Sequence, residues 1–203
     1  MIYIWGGGII RRIIIITGTP GVGKSSVSKA LASKINAHII SIGNLVKEEK
    51  LYSGVDRERD TLIADTERVS RRVKEIISKV QGDVIVEGHF AVDVVPPKWV
   101  SVAFVLRRDP EELRRILEGR SYSERKIMEN LAAEILDVCL YEAIKRCGVK
   151  KVCEIDVTSK SVEDVVGEIL DVLNGVRECR VGIVDWLGKL EAEGKLDEYL
   201  KDF

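Results

Sequence analysis

The chain has 203 residues, of which 45% are hydrophobic and 32% are charged, and its formal net charge is −1. This length fits one domain better than two and is enough to bury a hydrophobic core without disulfide cross-links. The balance of 32 basic against 33 acidic residues excludes a polycationic nucleic-acid-binding protein, and the apolar fraction excludes a mainly disordered chain. No apolar run approaches the length of a membrane-spanning helix, so we expect no membrane partner.

Strands and helices are predicted to alternate along the chain. A continuous apolar run predicts a buried strand at Ile13–Thr17, and apolar residues four apart predict a helix at 25–35. Pro110 is expected to open a later helix, because a proline at the first helical position loses no hydrogen bond. The remaining predictions, in chain order, are strand 38–41, helix 43–52, helix 65–80, strand 84–86, strand 100–106, the helix from Pro110, helix 126–147, strand 151–155 and helix 161–173.

This order of elements predicts an α/β fold with a five-stranded parallel sheet and helices on both faces. Asn174-Gly175 forms a helix stop, so we expect one domain over residues 1–203 with a core at 13–173. The tail at 176–203 is predicted to be helical, with a break at Gly194.

The cysteines and the N-terminus indicate a cytoplasmic protein. The four cysteines form neither a C-x-x-C pair nor a zinc-ligand pattern, and we interpret them as free thiols in a reducing compartment. Residues 1–12 lack the basic start of a signal peptide. They are interpreted as a flexible leader or as the product of an early start codon.

A phosphate-binding loop follows the first strand, where G-T-P-G-V-G-K-S matches the pattern G-x-x-x-x-G-K-[ST]. Gly18, Gly21 and Gly23 allow consecutive backbone N–H groups to turn inward around phosphate oxygens. Lys24 supplies a charge to the β- and γ-phosphates, and the hydroxyl of Ser25 is a ligand for Mg²⁺. The following helix directs its positive end at the same anion. The pattern therefore predicts ATP as substrate with Mg²⁺, and its alternative is an ordinary glycine-rich turn.

The stretch V-I-V-E-G-H supplies an acid at the end of a buried strand. In folds with this loop such an acid lies beside the phosphates, where Glu87 can hold the water shell of Mg²⁺. The alternative is a solvated carboxylate at the end of a strand. His89 is predicted to position a water or a substrate oxygen, and its alternative is a histidine in a surface loop.

Arginines are predicted to complete the catalytic set. Arg107 and Arg108 end the fourth strand, and Arg120 and Arg125 lie in the polar stretch G-R-S-Y-S-E-R-K. Phosphoryl transfer needs cations that close over the γ-phosphate, although a solvated basic loop would have the same composition. A GTPase is disfavoured, because the chain has no N-K-x-D motif for reading guanine.

Five stretches, in order and with compatible spacing, together resemble the adenylate kinase isoenzyme 6 family over residues 13–173. They are T-G-T-P-G-V-G-K-S-S, I-G-N-L-V-K-E-E-K-L-Y-S-G-V-D, V-I-V-E-G-H, F-V-L-R-R-D-P and R-S-Y-S-E-R-K-I-M-E-N-L-A-A-E-I. The resemblance implies a P-loop nucleoside monophosphate (NMP) kinase-like fold, with an NMP-binding segment at about 41–64 and a lid at about 119–129. It also implies ATPase activity that uses Glu87 and His89.

The resemblance implies further site residues. The residues implied for ATP are Gly18, Gly21, Val22, Gly23, Lys24, Ser25, Ser26, Arg120 and Lys160. Of these, Lys160 is expected beside the adenine. The residues implied for the NMP are Ser41, Asn44, Lys47 and Arg107. Three positions depart from the family pattern. Glu87 replaces a frequent Asp, and Asn44 and Lys47 stand where Asp and Arg are common. A lysine offers no bidentate fork to the NMP phosphate, so AMP binding is expected to be looser.

Three functions follow as hypotheses. The first is an ATP-dependent NMP kinase with AMP or another NMP as acceptor. The second, implied by the resemblance, is an assembly factor that uses ATP as a switch while it binds a platform protein of the pre-ribosomal small subunit during rRNA trimming. The third is a small-molecule kinase of the shikimate type, which is disfavoured because the segment after the second strand matches an NMP helix.

Overall fold

Five parallel strands form the centre of the computed structural model, which describes residues 11–57, 61–120 and 122–200. Residues 1–10 of the predicted leader and Ser121 of the predicted lid lie outside the described residues. In chain order the elements are β1 (Ile13–Thr17), α1 (Lys24–Ile35), β2 (His38–Ser41), α2 (Ile42–Glu48), β3 (Tyr52–Asp56), β4 (Thr61–Ala64), α3 (Thr66–Lys79), β5 (Val84–Glu87), α4 (Ala91–Val94), β6 (Val102–Arg107), α5 (Pro110–Glu118), α6 (Glu124–Ile135), α7 (Val138–Cys147), a 3₁₀ turn (Val149–Lys151), β7 (Val152–Asp156), α8 (Val162–Leu173), α9 (Trp186–Ala192) and α10 (Leu196–Leu200).

The sheet has the strand order β2-β5-β1-β6-β7, and every neighbouring pair of strands runs parallel. All five residues of β1 are buried, because helices cover both faces of the sheet. Alternate residues of this strand serve two cores. Ile14 and Ile16 pack with α1, α5, α6 and α8, whereas Ile13 and Ile15 pack with α2, α3 and α7. The predicted five-stranded parallel α/β fold is confirmed.

Several helices begin at side-chain caps that are visible in the sequence. The hydroxyl of Ser161 accepts a 3.1 Å hydrogen bond from the backbone N–H of Asp164, whose carboxylate accepts one from the backbone of Ser161 in return. Asp109 caps α5, and Pro110 occupies its first turn as predicted. Within the described part of the chain, no helix combines the length and the apolar character that a membrane crossing requires.

The predicted helix at 126–147 is in fact two helices. α6 ends at Ile135 and α7 begins at Val138, and Asp137 between them has a left-handed backbone with φ 57°. Aspartate is one of the few residues besides glycine that adopt this conformation readily. Its carboxylate accepts a 2.5 Å hydrogen bond from Nη2 of Arg107, which holds the break in place.

A β-hairpin replaces the end of the predicted helix at 43–52. α2 ends at Glu48, and the chain then forms β3 and β4, which pair antiparallel. Residues along both strands alternate between exposed and only partly buried. The strands therefore lack the strongly apolar pattern that identifies a strand in a sequence. The hairpin belongs to the predicted NMP-binding segment, of which residues 58–60 lie outside the described residues.

The tail folds back onto the core as two short helices. α9 and α10 are separated at Gly194, which has φ +68°, so the predicted break and the helices around it are confirmed. Residues 176–185 of the predicted helical tail form no helix, and residues 201–203 lie outside the described residues. Trp186, Leu190 and Tyr199 are buried in the same core as residues of α5 and α6. The tail is therefore packed against the elements that flank the predicted lid.

Candidate active site

The phosphate-binding loop (P-loop, residues 18–25) needs glycine at two positions for steric reasons. Gly18 and Gly21 have φ +134° and +102°, conformations that other residues rarely adopt. A Cβ at Gly18 would lie 2.4 Å from the carbonyl oxygen of Leu106, and one at Gly21 would lie 2.8 Å from Cδ1 of Leu113. The loop therefore packs directly on β6 and α5, and this contact gives it one defined shape.

Lys24 places its charge inside the P-loop. Its Nζ donates hydrogen bonds of 2.8 Å to the carbonyl oxygen of Gly18 and 3.0 Å to that of Thr19. Burial lowers the pKa of Lys24, and the charges of Glu87 and Glu134 act in the opposite direction. A cation fixed in this way suits the stabilisation of phosphate charge, because little reorganisation is needed when the charge develops.

Ser25 and Glu87 form a pair that fits Mg²⁺. Glu87 ends β5 and is only 6% exposed, between Ser41 of β2 and Ile16 of β1 in the sheet register. The Ser25 hydroxyl donates a 3.3 Å hydrogen bond to Oε1 of Glu87. Among the described residues no group of three His, Cys, Asp or Glu side chains could hold a metal alone. Mg²⁺ is suited to such a site, because it commonly binds one or two protein oxygens together with substrate phosphates.

His89 lies just beyond the end of β5, with its side chain exposed. Its carbonyl oxygen accepts a 3.1 Å hydrogen bond from Thr17, and its ring packs edge to face on Phe90 with 4.7 Å between centroids. Desolvation of the imidazole by its surroundings, and secondarily the charge of Lys24, lower the pKa of His89 to about 4. The imidazole is therefore neutral at pH 7 and can accept a hydrogen bond from water.

One cleft brings most of the predicted site residues together. It has a volume of about 360 Å³ and lies between the P-loop, the start of α2, the end of β5 and the segment after α5. The predicted residues that line it are Gly21, Gly23, Lys24, Ser25, Ser26, Ser41, Asn44, Lys47, Glu87, His89 and Arg120. The phosphate side and the predicted NMP side thus face a single space.

Three predicted ATP residues lie outside the lining of this cleft. Gly18 is the buried base of the P-loop, and Val22 is fully buried. Lys160 follows β7, and its ammonium pairs with Glu168 at 2.5 Å. The structure therefore places Lys160 on an exposed ion pair, and its predicted position beside the adenine stays a prediction.

Arg107 does not reach the cleft, and the predicted NMP-binding role requires correction. Its side chain is buried at 1% exposure, where Nε pairs with Glu134 at 2.8 Å and Nη1 with Glu154 at 2.5 Å. A third carboxylate, that of Asp137, accepts from Nη2 at 2.5 Å. These partners direct the guanidinium beneath the end of β6, so we assign it a structural role.

Sequence reasoning missed Tyr122 and left open where Arg108 lies relative to the cleft. Tyr122 lines it, and the ammonium of Lys126 lies 4.6 Å from the centre of its ring. Arg108 lies behind the P-loop, where Nη2 donates a 3.3 Å hydrogen bond to the carbonyl oxygen of Val22. The R-R pair at the end of β6 carried the signal for Arg108, but it did not show which arginine turns toward the loop.

The lid and the hairpin touch each other across the cleft. Lys126 of α6 donates a 3.0 Å hydrogen bond from Nζ to the hydroxyl of Thr61 in β4. The predicted lid and the predicted NMP-binding segment are therefore in direct contact.

Comparisons with known proteins identify the family. A family described as an AAA domain matches residues 14–137. A protein named "Putative adenylate kinase" from Methanosarcina barkeri is 42% identical over 184 residues, covering 86% of this chain and 97% of that protein. One of the same name from Methanocaldococcus jannaschii is 40% identical over 176 residues, covering 87% of this chain and 93% of that protein.

The fold is also found in solved kinases. The structure of thymidylate kinase from Candida albicans superposes with a TM-score of 0.55 at 15% identity, covering 82% of this chain and 92% of that one. At this level of identity the likeness concerns the fold, which is that of a P-loop kinase.

Proposed function

The chain belongs to the adenylate kinase-like family of these archaeal relatives, and we propose that it transfers the γ-phosphate of ATP reversibly to AMP. One observation carries this proposal above the others. Lys24 and Arg120, which suit the phosphates of ATP, line the same cleft as Asn44 and Lys47, which suit the phosphate of an NMP. A kinase that acts on a nucleotide needs both sets of groups around one space.

The proposed transfer is an in-line displacement. An oxygen of the AMP phosphate attacks the γ-phosphorus, the bond to the bridging oxygen of ADP breaks, and charge spreads over the transferred group. Lys24 is already held in the loop, where it would stabilise that charge, and Arg120 lines the same cleft as a second cation. Ser25 and Glu87 would hold Mg²⁺, which neutralises phosphate charge when bound.

We propose ATPase activity as a second activity of the same cleft. Hydrolysis needs a water molecule oriented toward the γ-phosphate, and a neutral imidazole at the cleft can accept a hydrogen bond from that water. His89 lines the cleft, and its lowered pKa keeps the imidazole neutral, which supports this role. AMP transfer does not need the same group, because the acceptor phosphate supplies its own nucleophile.

The finer assignment rests on the sequence resemblance described above. We propose membership of the isoenzyme 6 group, a cytoplasmic location, and a role in late maturation of the small ribosomal subunit through a platform ribosomal protein. An ATP-driven assembly factor is thus the second candidate function. His89 favours it, because a switch needs hydrolysis in the absence of an acceptor nucleotide.

Coupled ADP detection separates these functions. The purified protein is assayed with saturating MgATP alone and then with each NMP added in turn. A large AMP-dependent increase in ADP supports the kinase, whereas ADP formation that no NMP increases supports the ATPase switch. ADP formation that is absent with ATP alone and with every NMP would contradict both functions and would leave a small-molecule kinase.

His89→Ala sharpens the comparison, because its two activities are measured on one preparation. We expect ATPase to fall more than AMP-dependent ADP formation, since positioning roles of this kind contribute about 10²–10⁴-fold. An equal fall in both activities would show that His89 supports the shared phosphate site and does not serve the water.

A further inference from the structure

A buried carboxylate joins the P-loop to the C-terminal tail. Glu134 of α6 is 1% exposed, and its Oε2 accepts a 2.5 Å hydrogen bond from the hydroxyl of Thr19 in the P-loop. Its Oε1 accepts from Nε of Arg107 at 2.8 Å, from the backbone N–H of Arg108 at 3.1 Å and from Nε1 of Trp186 at 3.2 Å. One carboxylate thus contacts the P-loop, the end of β6 and the tail.

Trp186 is held firmly where it can act on this carboxylate. It opens α9, is 8% exposed, and packs in the core with residues of α5 and α6. Just before it, the backbone N–H of Ile183 donates a 2.8 Å hydrogen bond to Oε2 of Glu154, the other buried partner of Arg107. Beyond it, Lys189 pairs with Asp109 at the start of α5. The tail therefore meets the buried network at two separate points.

Thr19 carries the effect of this network to the phosphate site. Its side chain is fully buried and bound to Glu134, while its carbonyl oxygen accepts hydrogen bonds from Nζ of Lys24 at 3.0 Å and from the backbone of Val22 at 3.3 Å. A shift of Thr19 would therefore move a carbonyl group that contacts the catalytic lysine. Buried carboxylates depend on all their donors, because an uncompensated buried charge is costly.

We propose that Trp186 is a positioning residue for ATP, which rests on the proposed function, in which the P-loop binds ATP. The indole N–H of Trp186 holds the carboxylate of Glu134, and Glu134 in turn holds Thr19 and the P-loop. The tail is then part of the nucleotide site, although none of its described residues, 176–200, lines the cleft. The network touches the P-loop and not α2, so it acts on ATP and leaves AMP binding unchanged.

Two conservative substitutions test this chain of contacts. Trp186→Phe keeps an aromatic ring and removes the N–H donor, and Thr19→Val keeps the shape and removes the hydroxyl. Networks of this kind modulate binding by about 2- to 30-fold, so Trp186→Phe should weaken MgATP binding and raise KM for ATP by such a factor. KM for AMP should stay unchanged. Binding is measured by calorimetry with MgATP alone, which needs no turnover.

A double-mutant cycle identifies the route. If Trp186 acts through Glu134 on Thr19, then Trp186→Phe should have little further effect on MgATP affinity in a Thr19→Val background. Leu187→Ala is the matched control, because this neighbour in α9 is 40% exposed and lies outside the network. It should leave MgATP affinity as in the wild type. Thermal unfolding of every variant accompanies the binding data.

The outcomes distinguish the inference from the proposed function. A Trp186→Phe protein with a lower Tm but wild-type MgATP affinity would overturn the inference, as would additive effects in the cycle or an equal rise in both KM values. If Trp186→Phe does not fold, Glu134→Gln takes its place, and the same selective rise in KM for ATP is expected. A wild-type chain that binds no MgATP would contradict the proposed function as well.

Discussion

Arg107→Met should destabilise the fold strongly, because Arg107 neutralises a buried acidic cluster. Its two inner partners, Glu134 and Glu154, have side chains with 1% and 0% exposure, whereas the Asp137 side chain is 48% exposed. Breaking a buried ion pair by removing one partner costs about 3–5 kcal/mol. The exposed pair adds little to this, since solvent screens it. In a domain of this size about 1 kcal/mol corresponds to 2–4 °C, so Tm should fall by about 6–20 °C.

Urea unfolding followed by circular dichroism measures the loss, with thermal unfolding as a second probe. Arg72→Met is the control, because Arg72 makes a comparable 2.8 Å pair with Glu49 at the surface, and we expect no measurable change there. An Arg107→Met protein with the wild-type midpoint and a raised KM for AMP would refute the structural role. The side chain would then be a nucleotide ligand, as the family resemblance implies.

Three further predictions concern the cleft. Lys24→Ala should abolish kinase and ATPase turnover, since a fixed donor of this type contributes about 3–4 kcal/mol to the transition state; activity within threefold of wild type would contradict the P-loop assignment. Glu87→Gln should lose Mg²⁺-dependent turnover and keep nucleotide binding, and a full rate at ordinary Mg²⁺ would show that the acid is structural. His89 has a folded-state pKa of about 4, below its ordinary 6.5, so its contribution to stability is present above pH 6.5 and is lost as the pH falls to 4. The His89→Asn protein should therefore lose less stability than the wild type between pH 7 and pH 4.5, as measured by urea midpoints. If His89 kept its ordinary pKa in the folded state, the two proteins would lose the same amount.

The fold and the phosphate side of the site could be predicted because their signals are local. The strands of the parallel sheet are short apolar runs, because helices bury the residues on both of its faces. Lys24 and Ser25 follow from one continuous motif. Glu87 follows from the rule that parallel strands end at the same edge, and the structure places it 3.3 Å from the Ser25 hydroxyl.

What could not be predicted depends on contacts between distant residues. The role of Arg107 is set by Glu134 and Glu154, which lie 27 and 47 residues later in the chain. An arginine at the end of a strand is compatible with a nucleotide ligand or with a buried ion pair, and only its neighbours decide. The break at Asp137 has the same origin, because the helical pattern continues across it and the same guanidinium holds it.

The support of the P-loop has a consequence for synthesis on the ribosome. Glu134 follows Thr19 by 115 residues, and Trp186 follows Glu134 by 52. At about 5–20 residues per second, Trp186 is added roughly 8–33 s after Thr19. During that interval a nascent chain can form β1, the P-loop and α1. It first lacks Glu134 and then lacks Trp186, the two residues that support the P-loop. If Trp186 positions the P-loop as proposed above, full ATP affinity is expected only after the chain has been translated through α9.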